Sequence, residues 1–214
     1  MSFDVEHRYV RVGPHGLPGA LYLPRNPLAL VIFAHGSGSS RSSPRNIFVA
    51  EELAGRGFAC LLFDLLRPAE AQDRSNVFDI PLLTARVREA IGWSAAQTEI
   101  GDLPVGLFGA STGAAAALSA AAQEPEIGAV VSRGGRPDLA GMALARVRAP
   151  TLLLVGGDDR DVLELNREAL SLMSCEARLE IVPGATHLFE EPGALEDVVS
   201  KAGDWFVTHL TKRR

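Results

Sequence analysis

A chain of 214 residues has room for a sizeable core, and with 47% hydrophobic residues it has the composition of an ordinary soluble globular protein. Its formal net charge of −5 speaks against nucleic acid or an anionic membrane as a partner. Two cysteines, Cys60 and Cys175, are too few for a disulfide scaffold, so a reducing cytoplasm is the expected setting.

The first eight residues carry no apolar h-region, so no secretory signal is expected. No apolar run approaches the roughly 20 residues that a membrane-spanning helix needs. Residues 5–12 and 17–23 read as two short strands joined by the turn Gly13-Pro14-His15-Gly16, a hairpin at a sheet edge. Residues 28–34 are continuously apolar, the pattern of a strand covered on both faces. That run ends in a loop of small residues, His35-Gly36-Ser37-Gly38-Ser39-Ser40. Pro44 suits the first turn of a helix over 44–56, which Gly57 closes. Residues 58–65 read as a second buried strand with Cys60 packed inside it, and 67–76 as an uncommitted polar loop. A long amphipathic helix follows over 79–97.

Residues 105–109 then form a strand that runs into Gly109-Ala110-Ser111-Thr112-Gly113 and an alanine-rich helix over 114–122. A strand at 128–132 ends in Arg133-Gly134-Gly135-Arg136 and is followed by a short helix around 138–147. The strand at 151–155 ends in Gly156-Gly157-Asp158-Asp159 and leads to a helix over 162–173. The last strand, 178–182, is followed by Pro183-Gly184-Ala185-Thr186-His187 and a closing helix over 194–210. From residue 28 onward strands alternate with helices, which implies an α/β fold with a mainly parallel sheet and helices on both faces. No repeat or linker interrupts the pattern, so residues 1–214 are expected to form one domain. The connection between Ser132 and Thr151 is too short for a large lid, so the site should be open.

In an open parallel sheet, ligands bind beyond the carboxyl ends of the strands. Loops leaving such ends carry His35-Gly36-Ser37, Ser111, Asp158-Asp159 and His187. The Gly-x-Ser-x-Gly turn reverses the chain at once, forcing its serine towards positive φ, while the flanking glycines remove Cβ atoms that would collide. The serine then sits at a helix N-terminus, where free N–H groups and the helix dipole favour negative charge. Ser111 is thus the candidate nucleophile and His187 its base, with Asp158 or Asp159 orienting the imidazole. The chain order Ser, Asp, His fits this architecture.

These residues give the chain a clear resemblance to the α/β-hydrolases, and to the small lidless dienelactone hydrolase-like members in particular. The likeness spans nearly the whole chain. It rests on His35-Gly36-Ser37-Gly38, Gly109-Ala110-Ser111-Thr112-Gly113, Val155-Gly156-Gly157-Asp158-Asp159-Arg160-Asp161-Val162 and Gly184-Ala185-Thr186-His187-Leu188-Phe189. In that family the acid sits three residues before an apolar one, which selects Asp159, ahead of Val162, over Asp158. The resemblance also implies an oxyanion hole made by the backbone N–H groups of Ser37 and Thr112, and a structural role for His35. Dienelactone hydrolase itself has a cysteine at the nucleophile position, so Ser111 sets this chain apart from that enzyme's substrate.

Arginines gather at the same sheet edge: Arg41, Arg45, Arg67, Arg133 and Arg136. Arg41, Arg45, Arg133 and Arg136 are therefore candidate substrate-binding residues for an anionic substrate. The competing reading pairs these cations locally with Asp64, Glu70, Asp73, Asp79 and Asp138. His7, His15 and His209 are read as surface residues, and Asp158 and Asp161 as solvated or helix-capping. The expected function is hydrolysis of a carboxylic ester or thioester of a small molecule through an acyl-enzyme. No metal or organic cofactor is expected, because no His/Cys cluster has ligand spacing. The alternatives are a catalytically silent binding protein of the same fold, and an acyltransferase using the same three residues.

Overall fold

The coordinates are a computed structural model describing residues 4–211. Residues 1–3, part of the stretch read for a secretory signal, lie outside the described residues. In chain order the elements are β1 (Val5–Val12), β2 (Leu17–Pro24), β3 (Leu30–Ala34), α1 (Pro44–Gly55), β4 (Ala59–Phe63), α2 (Ile80–Ala95), β5 (Val105–Ala110) and α3 (Thr112–Ala121). There follow β6 (Ala129–Arg133), β7 (Thr151–Gly156), α4 (Arg160–Leu172), β8 (Ala177–Val182) and α5 (Ala194–Leu210).

Successive residues of a strand point to opposite faces, and here both faces are apolar. Along β3, Leu30 and Ile32 enter one buried cluster while Val31 and Phe33 enter another. In β4, Leu61 and Phe63 take the first side, and Cys60 and Leu62 the second. Leu83, Val87 and Ala90 of α2 close the first cluster together with the alanines of α3. Val49 and Leu53 of α1 close the second with Val198, Trp205 and Phe206 of α5. All ten residues of α3 are buried, as an alanine-rich helix pressed closely against a sheet requires.

The sheet has eight strands in the order β1-β2-β4-β3-β5-β6-β7-β8. The β1–β2 and β2–β4 pairs are antiparallel and every other pair is parallel. The mainly parallel sheet, the N-terminal hairpin at its edge and the helices on both faces are those anticipated from the sequence. Strand order runs outward in opposite directions from β3 and β5, so the crevice between their carboxyl ends is the topological switch point. The loops that begin at His35 and Ser111 leave the sheet there.

Several element bounds shift by one to three residues from the sequence reading, and some details differ further. The strand expected at 28–34 begins at Leu30. The short helix expected at 138–147 is a pair of 3-10 turns over Pro137–Arg146, broken at Gly141, whose φ of 52° is incompatible with a right-handed helix. His209 is not a surface residue: its side chain is 5% exposed and stacks on Trp205 at 4.3 Å between ring centroids. The other two histidines keep outer positions, His7 against the Tyr22 ring and His15 3.4 Å from Glu89.

The polar loop after β4 contains two 3-10 turns, Glu70–Gln72 and Asn76–Phe78. The buried Arg86 of α2 ties this loop down by donating to Glu70 at 2.9 Å, and also donates to Glu89 of its own helix. Asp79 starts α2 by accepting from the Leu82 N–H at 2.9 Å. The segment between β6 and β7 packs against α3 and α4 rather than over the strand ends, and no large lid is present among the described residues. No described helix is long and apolar enough to cross a membrane.

Candidate active site

Ser111 has φ 51° and ψ −124°, a conformation that costs a non-glycine residue about 1–3 kcal/mol and persists only when its surroundings impose it. Those surroundings are visible. A Cβ on Gly109 would collide with the Ala114 backbone, and one on Gly113 with the carbonyls of Ala34 and His35. The Ser111 N–H donates to the Arg133 carbonyl at 3.3 Å, and the Ser111 carbonyl accepts from the Arg136 N–H at 3.1 Å. The turn is thereby pinned to the end of β6. Gly36 lies close to Ser111, since a Cβ there would come within 2.8 Å of the serine Cβ.

His187 follows β8, and its Nδ1 lies 2.6 Å from Oδ2 of Asp159, which follows β7. An ionised carboxylate only accepts, so the imidazole proton sits on Nδ1 and the lone pair is left on Nε2. The carboxylate is Asp159 rather than Asp158, whose N–H is used to hold the Ala185 carbonyl at 3.0 Å. The His187 loop is clamped from both ends. Thr186 donates its hydroxyl to Glu191 at 2.6 Å, and Phe189, with φ 55°, buries its ring completely. Ser111 and His187 line one cleft, together with Gly36, Ser37, Ser39, Ser43, Arg45, Ala110, Arg133, Gly134 and Leu188.

The loop from His35 to Ser40 forms one wall of that cleft and also borders an apolar pocket on its other side. Leu65, Leu66, Val77 and Leu83 line this second pocket, with Ser37 and Thr112 at its edge. His35 fastens the loop: its Nε2 accepts from the Leu65 N–H at 3.1 Å, and its Nδ1 lies 3.0 Å from the Gly36 carbonyl. Both bonds require the neutral ring with its proton on Nδ1. Burial holds the His35 pKa below the ordinary value, against smaller opposing contributions from the Gly36 carbonyl and Asp64.

The two expected oxyanion donors differ in state. Thr112 opens α3, and the first N–H groups of a helix have no intrahelical acceptor. The Ser37 N–H, by contrast, donates to the Thr112 hydroxyl at 2.9 Å. That side-chain acceptor was not foreseen from the sequence, where Thr112 entered only through its backbone.

The rim arginines separate into two kinds. Arg41 bonds Asp64 at 2.7 Å, and Arg136 grips both oxygens of Asp138 at 2.7 and 2.8 Å. Arg67 is held by Glu70 at 2.8 Å. Arg41 and Arg136, expected as candidate substrate contacts, are thus engaged by local carboxylates and do not line the cleft. Arg45 does line it but holds Glu190 at 2.9 Å. Arg133 lines the cleft, is 8% exposed and bonds no carboxylate. Its Nη2 donates to Asn46 at 3.3 Å, while its Nη1 is buried without a hydrogen-bond partner. The Phe189 ring centroid lies 6.0 Å from its Cζ. Burial, and secondarily the charge of Arg45, pull its pKa down to about 10, so it remains a cation at neutral pH.

Cys60 is fully buried and its thiol pKa is pushed up by that burial, the state of an inert packed thiol. Among the described residues, no group of three or more His, Cys, Asp or Glu side chains is placed to hold a metal ion.

Over most of its length the chain is similar to known proteins. The sequence model of the dienelactone hydrolase family matches residues 17–209. The chain is 58% identical over 207 residues to a Mycobacterium tuberculosis protein named "Putative phosphoribosyl transferase", an alignment that covers 96% of this chain and 46% of that protein. It therefore spans about half the length of this curated relative. Among solved structures, a dienelactone hydrolase from Anabaena variabilis is 49% identical and superposes with a TM-score of 0.92, covering 98% of this chain and 100% of that one. Est1E from Butyrivibrio proteoclasticus shares the fold alone, with a TM-score of 0.77 at 16% identity over 96% of this chain and 99% of that one. An α/β-hydrolase sheet with these strand-end loops, matched by the family model over most of its length, makes the chain a member of the dienelactone hydrolase family.

Proposed function

We propose that the chain is a serine hydrolase that cleaves a carboxylic ester or thioester through an acyl-enzyme. The observation that carries this reading is the pairing, in one cleft, of a serine held at φ 51° with a histidine whose Nδ1 is fixed 2.6 Å from Asp159. Nε2 of His187 takes the Ser111 hydroxyl proton as Oγ bonds to the substrate carbonyl carbon. The negative oxygen so formed is stabilised by the Thr112 N–H and by the Ser37 N–H, which turns to it from the Thr112 hydroxyl. As the intermediate collapses, His187 gives its proton to the departing alcohol or thiol, leaving the acyl group on Ser111. Water repeats the cycle with His187 as base, releasing the acid. Asp159 stays ionised throughout and stabilises the imidazolium.

The transferase name carried by the Mycobacterium tuberculosis relative describes a protein about twice as long as the matched region, since the alignment covers 46% of it. Membership of the hydrolase family and the cleft geometry support hydrolysis for the region in hand. An acyl acceptor other than water would use the same three side chains. Reaction with a fluorophosphonate tests the reading: wild type is expected to be labelled and Ser111→Ala not. A wild-type protein that stays unlabelled contradicts it and favours a binding protein of the same fold.

A further inference from the structure

Of the arginines around the cleft, one has a charge that no carboxylate answers among the described residues. Arg133 is 8% exposed, bonds only the neutral Asn46, and keeps Nη1 buried and unpartnered. Its position is fixed by the sheet: it is the last residue of β6, in register with Ala110, the residue before the proposed nucleophile. A buried cation without a counter-ion is unfavourable unless something else completes its shell. The charged side chain that acts on it is Arg45, a second cation. The groups that share the cleft, Ser37, Ser39, Ser43, Ser111, Gly134 and His187, include no carboxylate. We propose that Arg133 receives an anionic group of the substrate, a carboxylate or a phosphate, and that this group belongs to the leaving alcohol rather than to the acyl part.

The assignment to the alcohol rests on the hydrolase reading above. His187 must hand its proton to the departing oxygen, so that oxygen lies within hydrogen-bond reach of Nε2. His187 and Arg133 line the same cleft. The apolar pocket bounded by Leu65, Leu66, Val77 and Leu83 lies across the His35–Ser40 loop and includes neither. The acyl group therefore takes the apolar side and the alcohol the cationic side. A guanidinium offers paired N–H donors that match a carboxylate or a phosphate, and in a site shielded from water such bonds are strong. Arg45, on the same cleft and shared only with the exposed Glu190, is placed to add a second cation once an anion enters.

The test uses butyrate esters of phenols matched in leaving-group acidity: one neutral, one bearing a carboxylate, one bearing a phosphate. A fourth substrate, the monoester of succinate with a neutral phenol, keeps one free carboxylate and so places the charge on the acyl side. The structure predicts that wild type prefers one or both anionic phenols over the neutral one in kcat/KM, and that Arg133→Gln lowers this preference by roughly 10- to 100-fold. Arg133→Lys should retain part of it. The backbone bond from Ser111 to Arg133 survives both substitutions. Inorganic phosphate and benzoate, titrated calorimetrically against both proteins, give a readout that does not need turnover, and binding should weaken in Arg133→Gln. The proposal is overturned by equal losses on neutral and anionic phenols, by a preference for the succinate substrate that Arg133→Gln removes, or by anion binding that is the same in the two proteins. Loss of fluorophosphonate labelling in wild type would instead contradict the hydrolase reading, leaving the titration to judge the anion site.

Discussion

The two sides of the His35–Ser40 loop are built from opposite materials. On one side lie Leu65, Leu66, Val77 and Leu83, and on the other Arg45, Arg133 and His187. The first pocket is furnished by the end of β4, the 3-10 turns after it and α2; the second by the ends of β5, β6 and β8. One segment of small residues serves both, because Gly36, Ser37 and Ser39 line each of them. Under the proposed reading, the difference assigns the two halves of an ester to separate walls, with no large lid among the described residues. It does so through which strand ends carry apolar residues and which carry charge. On that reading proton transfer fixes the orientation, since His187, the proposed base, lines the cationic pocket and not the apolar one.

The comparison can be tested most severely at the base itself. Asp159→Asn leaves the shape of the cleft unchanged but no longer requires the His187 proton on Nδ1, and a fall in kcat of about 10²- to 10⁴-fold on a neutral aryl ester is expected. Asp158→Asn should have little effect. Equal losses in the two variants would mean that the bond at 2.6 Å is not the one that orients the base.

A smaller effect tests the apolar side. Val77→Trp narrows that pocket, so the ratio of kcat/KM for hexanoyl over acetyl esters should fall about tenfold, the scale at which apolar pockets discriminate chain length. Preference among neutral and anionic phenols should not follow it. A shift in leaving-group preference without a shift in acyl preference would reverse the assignment of the two walls.

The smallest effect concerns the loop between them. Burial holds the His35 pKa low in the fold, so on acidification the unfolded chain takes up this proton first. Stability is thus full above the ordinary histidine value of about 6.5 and falls as pH drops below it towards the folded-state value. Urea midpoints at pH 7.5 and 5.5 should separate further in wild type than in His35→Asn, by no more than one proton's linkage, about 1.4 kcal/mol per pH unit. An equal separation would mean that burial does not keep His35 neutral in the fold.

Much of the fold was legible because each central strand carries a short, mostly apolar run closed by glycine or a polar loop, and α5 reads off its spacing over Ala194–Leu210. The broken segment at Pro137–Arg146 was not, because Gly141 takes a positive φ that the helical spacing around it conceals. At the site, the Gly109–Gly113 turn announces its backbone conformation through its glycines. The side-chain hydroxyl of Thr112 gives no such sign, because its partner Ser37 is brought to it by the adjacency of β3 and β5. The arginines show the limit most clearly. Arg41 finds Asp64, and Arg45 finds Glu190 across most of the chain, while Arg133 finds no acid among the described residues. Sequence places all of them at one sheet edge, but which are neutralised is decided by tertiary neighbours. The burial of His209 beneath Trp205 is hidden for the same reason.

The central claim is that Ser111 becomes covalently acylated and that His187 drives the step. Peptide mass spectrometry after fluorophosphonate treatment reads this directly, in wild type and in His187→Ala. The account predicts a phosphonyl adduct on the peptide containing Ser111, on that serine, and strongly slowed labelling without the imidazole. An adduct confined to another residue, or labelling of equal rate in the two proteins, would contradict it.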